Sequence, residues 1–204
     1  MNPLNLIPNY IYETIVSTYS AENKLPHTAP MGIISLDEQN LIISPYISTQ
    51  TFKNIEKYQC AGINFIYDLE IFFESTFSNK KPKLPTDLFI KASSIDAPLL
   101  KNTEAFIEAR VDEIQINGNR ARILVEIVDW GFKQYPFHPI NRGFNLVLES
   151  MIHTTRIIAF RNEPHKIIPL LEIIKQYRTL IKKVAPAGTY LEIMDKIQKI
   201  INEK

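Results

Sequence analysis

The stretch EAFIEARVDEIQINGNRARILVEIVDW, residues 104–130, carries the clearest structural signal in the chain. Asn117-Gly118 at its centre is a strong two-residue hairpin signal, because a type I′ turn needs two residues at positive φ. β-Branched and apolar residues flank the turn on both sides. The pattern predicts paired strands over Glu104–Ile114 and Arg120–Trp130.

Working towards the N-terminus, Gly62–Ile66 reads as a buried strand beginning near Cys60. Tyr10–Tyr19, Thr28–Leu36 and Leu41–Ile43 read as three strands joined by short polar turns, an antiparallel meander. Ser48 or Thr49 can cap a short helix running to about Tyr58, and Asp68 a segment through Phe73. Asn79–Pro85 and Ser93–Asn102 read as irregular. At least six short strands with few helices between them predict a β-barrel.

Towards the C-terminus the pattern changes to helices over Asn141–Ile158, Pro164–Val184 and Thr189–Ile201, with a break at Ala185-Pro186-Ala187-Gly188. Ile167, Ile168, Leu170, Leu171, Ile174, Tyr177 and Ile181 form the apolar stripe expected on the middle helix. The fold class is therefore mainly β with helices (α+β). A barrel domain is expected over residues 1–135 and a helical subdomain over 136–204.

Composition narrows the function classes. The 204 residues carry a formal net charge of +1, which gives no basic excess for tracking nucleic acid. A single cysteine excludes a disulfide within the chain and a cysteine-built zinc site. Met1–Pro8 lacks the basic and apolar regions of a signal peptide, and no apolar run is long enough for a membrane span. A cytoplasmic protein is expected. His27, His138, His153 and His165 are scattered without metal-ligand spacing. No GxGxxG, GxxxxGK[ST] or GxSxG pattern occurs, which disfavours Rossmann, P-loop and α/β-hydrolase chemistry. Cys60 reads as a core residue.

Three segments carry candidate chemistry. In His27-Thr28-Ala29-Pro30-Met31-Gly32 a proline sits inside a strand, so the segment lies at an edge or bulge. An open backbone there can take a flat ligand packed on Met31; an ordinary bulged edge has the same sequence. In Ser44-Pro45-Tyr46-Ile47-Ser48-Thr49-Gln50-Thr51-Phe52-Lys53-Asn54 hydroxyls crowd a helix start. Free amides with Ser48, Thr49, Thr51 and Lys53 can cradle a phosphate, and a plain N-cap explains one of the hydroxyls. On the Asn141 helix, 3.6-residue spacing groups Arg142, Asn145, Glu149, His153 and Arg156 on a polar face. Phe144, Val147, Leu148 and Met151 are expected opposite. That polar face suits a ligand or a second copy, or simply solvent.

Together these segments resemble a largely archaeal family of unknown function related to the FMN-binding split barrels of flavin reductases and pyridoxamine-phosphate oxidases. The resemblance rests on Tyr12–Thr18 with His27–Gly32, then Ser48–Asn54, then Gly62–Asp68. Asn141-Arg142 with Glu149, His153, Thr155 and Arg156 completes it. It covers about residues 10–160 in family order. It implies a split β-barrel and a homodimer with FMN at the interface. The backbone of His27, Thr28, Ala29, Pro30 and Met31 would meet the ring, and Thr49, Thr51 and Asn54 would surround the phosphate. Three positions depart from the family pattern. Thr28 replaces a usual alanine, Tyr67 an acidic residue and Ser44 a basic one, so charge on the phosphate falls to Lys53 or Arg142. Tyr46 and His153 are the candidate proton donors. The implied function is an FMN-dependent oxidoreductase of unspecified substrate with a small-molecule electron donor or acceptor. A non-catalytic module binding FMN or another phosphorylated ligand is the alternative.

Overall fold

The computed structural model describes residues 4–76, 84–133 and 138–202, apart from the side chains of Leu69 and Phe73. The sequence-predicted loop over 79–85 lies outside these residues except for its last two positions. The chain forms two compact units. One takes the residues up to Pro8 and Tyr12–Ile140; the other takes Asn9–Ile11 and Asn141 onwards.

The first unit is a closed antiparallel barrel. Its strands are β1 (Ile11–Tyr19), β2 (Pro26–Ser35), β3 (Asn40–Ile43), β4 (Cys60–Phe65), β7 (Ala105–Asn117) and β8 (Arg120–Phe132). They close in the order β1-β2-β3-β8-β7-β4. Helix α1 (Gln50–Tyr58) precedes β4 and α2 (Leu69–Thr76) follows it. Alternation on β8 turns Ala121, Ile123 and Val125 inward, all at most 1% exposed. They meet Leu41, Ile43, Ile33, Ile107 and Ile63, which are fully buried. The hairpin forms, but its turn sits one residue further on: Asn117 pairs with Arg120, so Gly118 and Asn119 make the loop, and of these only Gly118 has positive φ, 62°. Both its strands extend two or three residues beyond the expected ends.

The stretch expected to be irregular holds a further element. β5 (Phe89–Lys91) pairs with β6 (Pro98–Leu100) in a two-stranded sheet. Its signal is weak because each strand has three residues and β6 begins with a proline. Side chains from elsewhere fasten it. The fully buried Asn64 accepts from the Leu100 amide at 2.8 Å and donates to the Ile15 carbonyl at 2.9 Å and to Ser17 Oγ at 2.8 Å. Ser17 Oγ in turn donates to the Pro98 carbonyl at 2.5 Å. Buried Glu108 accepts from the Ser93 amide at 2.9 Å and the Ser94 amide at 2.6 Å. Bonds to a charged acceptor are the stronger kind, so this carboxylate fixes the loop between β5 and β6.

The second unit packs α3 (Arg142–Ala159), α4 (Pro164–Val184) and α5 (Thr189–Asn202) around Val147, Ile157, Ile174, Ile181, Met194 and Ile197. Pro164 stands at the start of α4, where its missing N–H costs no bond. Asn141 caps α3 by accepting from the Gly143 amide at 2.8 Å, and its Nδ2 donates to the Ile11 and Val184 carbonyls. The expected stripe on α4 is too wide: Ile174 and Ile181 are buried, whereas Ile168 is 64% exposed and Leu171 is also exposed. No described helix is long and apolar enough to cross a membrane.

Gly62 shows how tightly β6 lies on the barrel. A Cβ there would stand 2.6 Å from the Pro98 carbonyl oxygen and from Ser17 Oγ. Neither backbone nor a bonded hydroxyl can yield cheaply. Gly62→Ala is expected to destabilise the fold by about 1–3 kcal/mol through overpacking. A urea denaturation midpoint equal to wild type would show that β6 is not held this closely.

Candidate functional site

The barrel has an opening where β2 and the chain after β3 separate. β2 pairs with β3 over Ile33–Ser35 against Leu41–Ile43. Beyond Ile43 the chain follows β8 instead. The Ala121 amide donates to the Pro45 carbonyl at 2.9 Å, Tyr46 bridges to Arg120, and the Ile47 amide donates to the Asn119 carbonyl at 3.1 Å. The β2–β3 ladder thus runs no further back along β2 than Ile33 and does not reach Pro26–Gly32. Pro30 is tolerated there because an open edge forms no ladder. His27, Ala29, Pro30, Met31 and Gly32 are half-buried along this edge, while Thr28 is buried.

Side chains pin the open half of β2 from both sides. Thr14 Oγ1 on β1 donates to the Met31 carbonyl at 2.9 Å. Thr28 Oγ1 accepts from Ser75 Oγ on α2 at 3.0 Å. The Thr28 hydroxyl is therefore committed to α2. His27 Nε2 lies 3.2 Å from Thr51 Oγ1 on α1, which joins the first candidate segment to the second.

The hydroxyl-rich helix start resolves into separate roles. Thr49 is the N-cap: its Oγ1 accepts from the Phe52 amide at 3.3 Å and donates to the Tyr46 carbonyl at 2.7 Å. Thr51 is buried against His27. Asn54, fully buried, accepts from the Ala21 amide and Gln50 Nε2 at 2.8 Å each and donates to Thr18 Oγ1 at 2.9 Å. Its amide ties α1 to the turn after β1. Ser48 and Lys53 are exposed. First-turn amides have no carbonyl one turn back, so the start of α1 keeps donors and the positive end of its dipole. Tyr46, 46% exposed, carries the Arg120 guanidinium 4.2 Å from its ring centre. The sequence reading did not single out Arg120; its signal was an arginine two residues after Gly118.

The remaining candidates, Arg142 and His153, belong to the helical unit, and the expected helix faces are corrected there. Arg142, Asn145, Glu149 and Arg156 are exposed, but His153 sits on the buried stripe with Gly143, Val147, Ser150, Thr154 and Ile157. Its ring stacks on Tyr177 with centroids 6.1 Å apart, and Nδ1 has no partner among the described residues. Of the four residues expected on the apolar face, Val147 is buried and Phe144, Leu148 and Met151 are exposed. The helical wheel was assigned about one residue out of phase, because Ser150 and Thr154 bury their hydroxyls by donating to the Leu146 and Ser150 carbonyls one turn back.

The N-terminal domain of a protein family of unknown function, DUF447, matches residues 12–134, and the C-terminal domain of the same family matches residues 141–199. The chain belongs to the DUF447 family. An FMN-bound DUF447 protein from Methanosarcina mazei is 25% identical, with a TM-score of 0.53 over 97% of each chain. The fold is also that of a flavin reductase domain protein from Arthrobacter sp. FB24: 14% identity, TM-score 0.55, over 65% of this chain and 82% of that one. The styrene monooxygenase flavin reductase from Pseudomonas putida S12 is similar at 14% identity and TM-score 0.52, over 62% of this chain and 83% of that one. A search of curated proteins finds no match.

Two residues of this DUF447 chain take structural roles in the barrel unit. Tyr67 donates its hydroxyl to the His138 carbonyl. Cys60 is buried at the start of β4 beside Ala92, Ile95, Ala97 and Leu99, and burial pushes its thiol pKa up. Neutral and inaccessible at pH 8, it is a poor nucleophile. Cys60 is expected to resist alkylation by iodoacetamide in the native protein and to react readily in urea. Equal rates, followed by mass spectrometry, would contradict this placement.

Proposed function

We propose that this DUF447 protein binds FMN along the open edge of β2 and uses it as an oxidoreductase, with a second copy of the chain covering the exposed face of the flavin. One observation carries the reading. The strand edge left open at His27–Gly32 stands beside the start of α1, and His27 and Thr51 join them. The FMN-bound family member from Methanosarcina mazei supports the choice of ligand. The residues fit the group: half-buried main chain with Met31 suits a flat ring, and donors at a helix start with Lys53 suit a phosphate.

The main chain of His27–Met31 lines the ring. First-turn amides of α1, Ser48 and Lys53 face the phosphate. Thr49, Thr51 and Asn54 shape the cradle through bonds inside the fold, since their polar atoms are already engaged. Tyr46 is the exposed proton-bearing side chain beside the opening. FMN when bound supplies hydride and single-electron chemistry, and the protein's part is to hold and orient it.

The purified protein is expected to quench the fluorescence of added FMN stoichiometrically. Thr51→Val combined with Lys53→Ala is expected to weaken that binding by about 1–3 kcal/mol, as charge-assisted bonds and the shape of the cradle are lost. Absence of quenching by wild type would overturn the proposal. Bleaching of the bound flavin by NADH or NADPH without oxygen is the expected sign of an oxidoreductase. A flavin that no donor reduces would leave a binding module. A sedimentation mass of one chain with FMN bound would remove the covering copy.

A further inference from the structure

A groove of about 240 Å³ lies on the outer face of the barrel, lined by Ile34, Ile42, Ser44, Asn117, Arg120, Ala121 and Arg122. Three features set it apart from ordinary solvated surface. Arg120 and Arg122 stand two apart on β8, so both project to the same face. The residues directly opposite them carry no charge, and the nearest carboxylate along the facing strand, Glu113, is diagonal to Arg122 and accepts from Gln115 Nε2 at 2.9 Å. Arg120 lies between Asn117 on β7 and Tyr46, and Arg122 lies opposite Gln115. The β3–β8 register, continued one residue past Ile43 opposite Ile123, puts Ser44 at the other side of Arg122. Cross-strand neighbours of opposite charge would be the stabilising choice at such positions. Here, among the described residues, neither guanidinium has a carboxylate partner.

Arg120 is also held in place. Its guanidinium lies over the Tyr46 ring at 4.2 Å, which limits its rotamers without using its N–H donors. The floor is apolar, with Ile42 5% exposed and Ile34 half-buried. Two like charges kept side by side over an apolar floor, with Ser44 and Asn117 at the rim, suit a doubly charged oxyanion. The volume is below the roughly 300–1,000 Å³ of pockets that enclose a whole drug-sized ligand. It suits the charged end of a larger molecule.

We propose that this groove binds the phosphate of a phosphate-ester ligand, with Arg120 and Arg122 supplying the fork of N–H donors. Two sources share that chemistry: the phosphate of the FMN proposed above, in which case the inference rests on that reading, or the phosphate of a second ligand that meets the flavin. Tyr46 connects the groove to the start of α1, because its carbonyl accepts from both the Thr49 amide and the Thr49 hydroxyl.

The test compares wild type, the double variant Arg120→Ala/Arg122→Ala and the charge-keeping Arg120→Lys/Arg122→Lys. Both side chains point outward, and thermal melts of each variant establish that it folds. FMN and riboflavin are titrated by fluorescence quenching, and inorganic pyrophosphate by calorimetry with and without FMN. Loss of FMN affinity by about tenfold or more with riboflavin binding unchanged places the FMN phosphate in the groove. Unchanged FMN affinity with loss of pyrophosphate binding to the FMN-loaded protein assigns the groove to a second ligand. The lysine variant is expected to fall between the two, since it keeps charge but not the planar fork. If the alanine variant matches wild type for FMN and pyrophosphate alike, the proposal is overturned. If wild type takes up no FMN, the function proposed above fails separately, and pyrophosphate binding to the free protein still decides the groove.

Discussion

The structure of the barrel unit turns on where the ladder between β2 and β3 ends. β3 pairs with β2 and β8 at once up to Ile43; beyond it Pro45, Tyr46 and Ile47 stay bonded to the β8 side while the β2 ladder stops. A closed barrel otherwise satisfies its backbone groups from strand to strand and leaves no edge. Ending the ladder at Ile33 forfeits β3 bonds over Pro26–Gly32, and a strand edge without its ladder invites wrong pairing. The fold offsets this with side chains. Thr14 holds the Met31 carbonyl, Ser75 holds Thr28, and Thr51 meets His27. These contacts keep the edge straight and open, which is what a flat ligand needs from a backbone.

Buried polar side chains serve the same end elsewhere. Asn64, Asn54, Glu108 and Asn141 are all at most 9% exposed. Three of them join separate segments: Asn64 ties β1 to β6, Asn54 ties the turn after β1 to α1, and Asn141 ties Ile11 to the end of α4, while Glu108 holds the Ser93–Ser94 loop alone. A buried amide that loses a partner is costly, by roughly 1–3 kcal/mol for each group left unpaired. Such residues therefore specify one arrangement of loops where short strands alone would allow several. Asn54 illustrates the consequence for function. It belongs to the hydroxyl-rich segment, yet its polar atoms are bonded inside the fold, so it positions the start of α1.

The parts legible in the sequence were those with local period or local chemistry. The Asn117-Gly118 hairpin, the buried run at Gly62–Phe65, the Thr49 cap and the Pro164 start needed no tertiary information. β1 was harder, since Thr14, Ser17 and Thr18 blur its alternation; all three are buried and bonded to atoms 17 or more residues away. The β5–β6 sheet was missed for the same reason, because its stability comes from Asn64, Ser17 and Glu108. His153 was assigned to the wrong face of α3 because serine and threonine count as polar in a helical wheel. In α3 they bury themselves by bonding the preceding turn. For the candidate site, the sequence named both sides of the opening. It did not show which hydroxyls were already spent on the fold.

Hydroxyls already spent on the fold change where charge for the proposed FMN phosphate would come from. A row of Ser and Thr at a helix start reads as a cradle when each hydroxyl is counted as free. In the folded chain Thr49 is occupied by its own cap and by the Tyr46 carbonyl, and Thr51 by His27. Backbone amides and a helix dipole contribute partial charge only, and Lys53 is a single exposed cation whose attraction is screened by solvent. Ser44 is neutral. A dianionic group near this opening would therefore be undercompensated if it relied on α1 alone. Arg120 and Arg122, without a carboxylate partner among the described residues, lie on β8, the strand beside which Pro45–Ile47 continue. The end of the β2–β3 ladder leaves the gap beside β2, and the continued bonding of Pro45–Ile47 to the β8 side sets the Tyr46 ring against Arg120 at the groove.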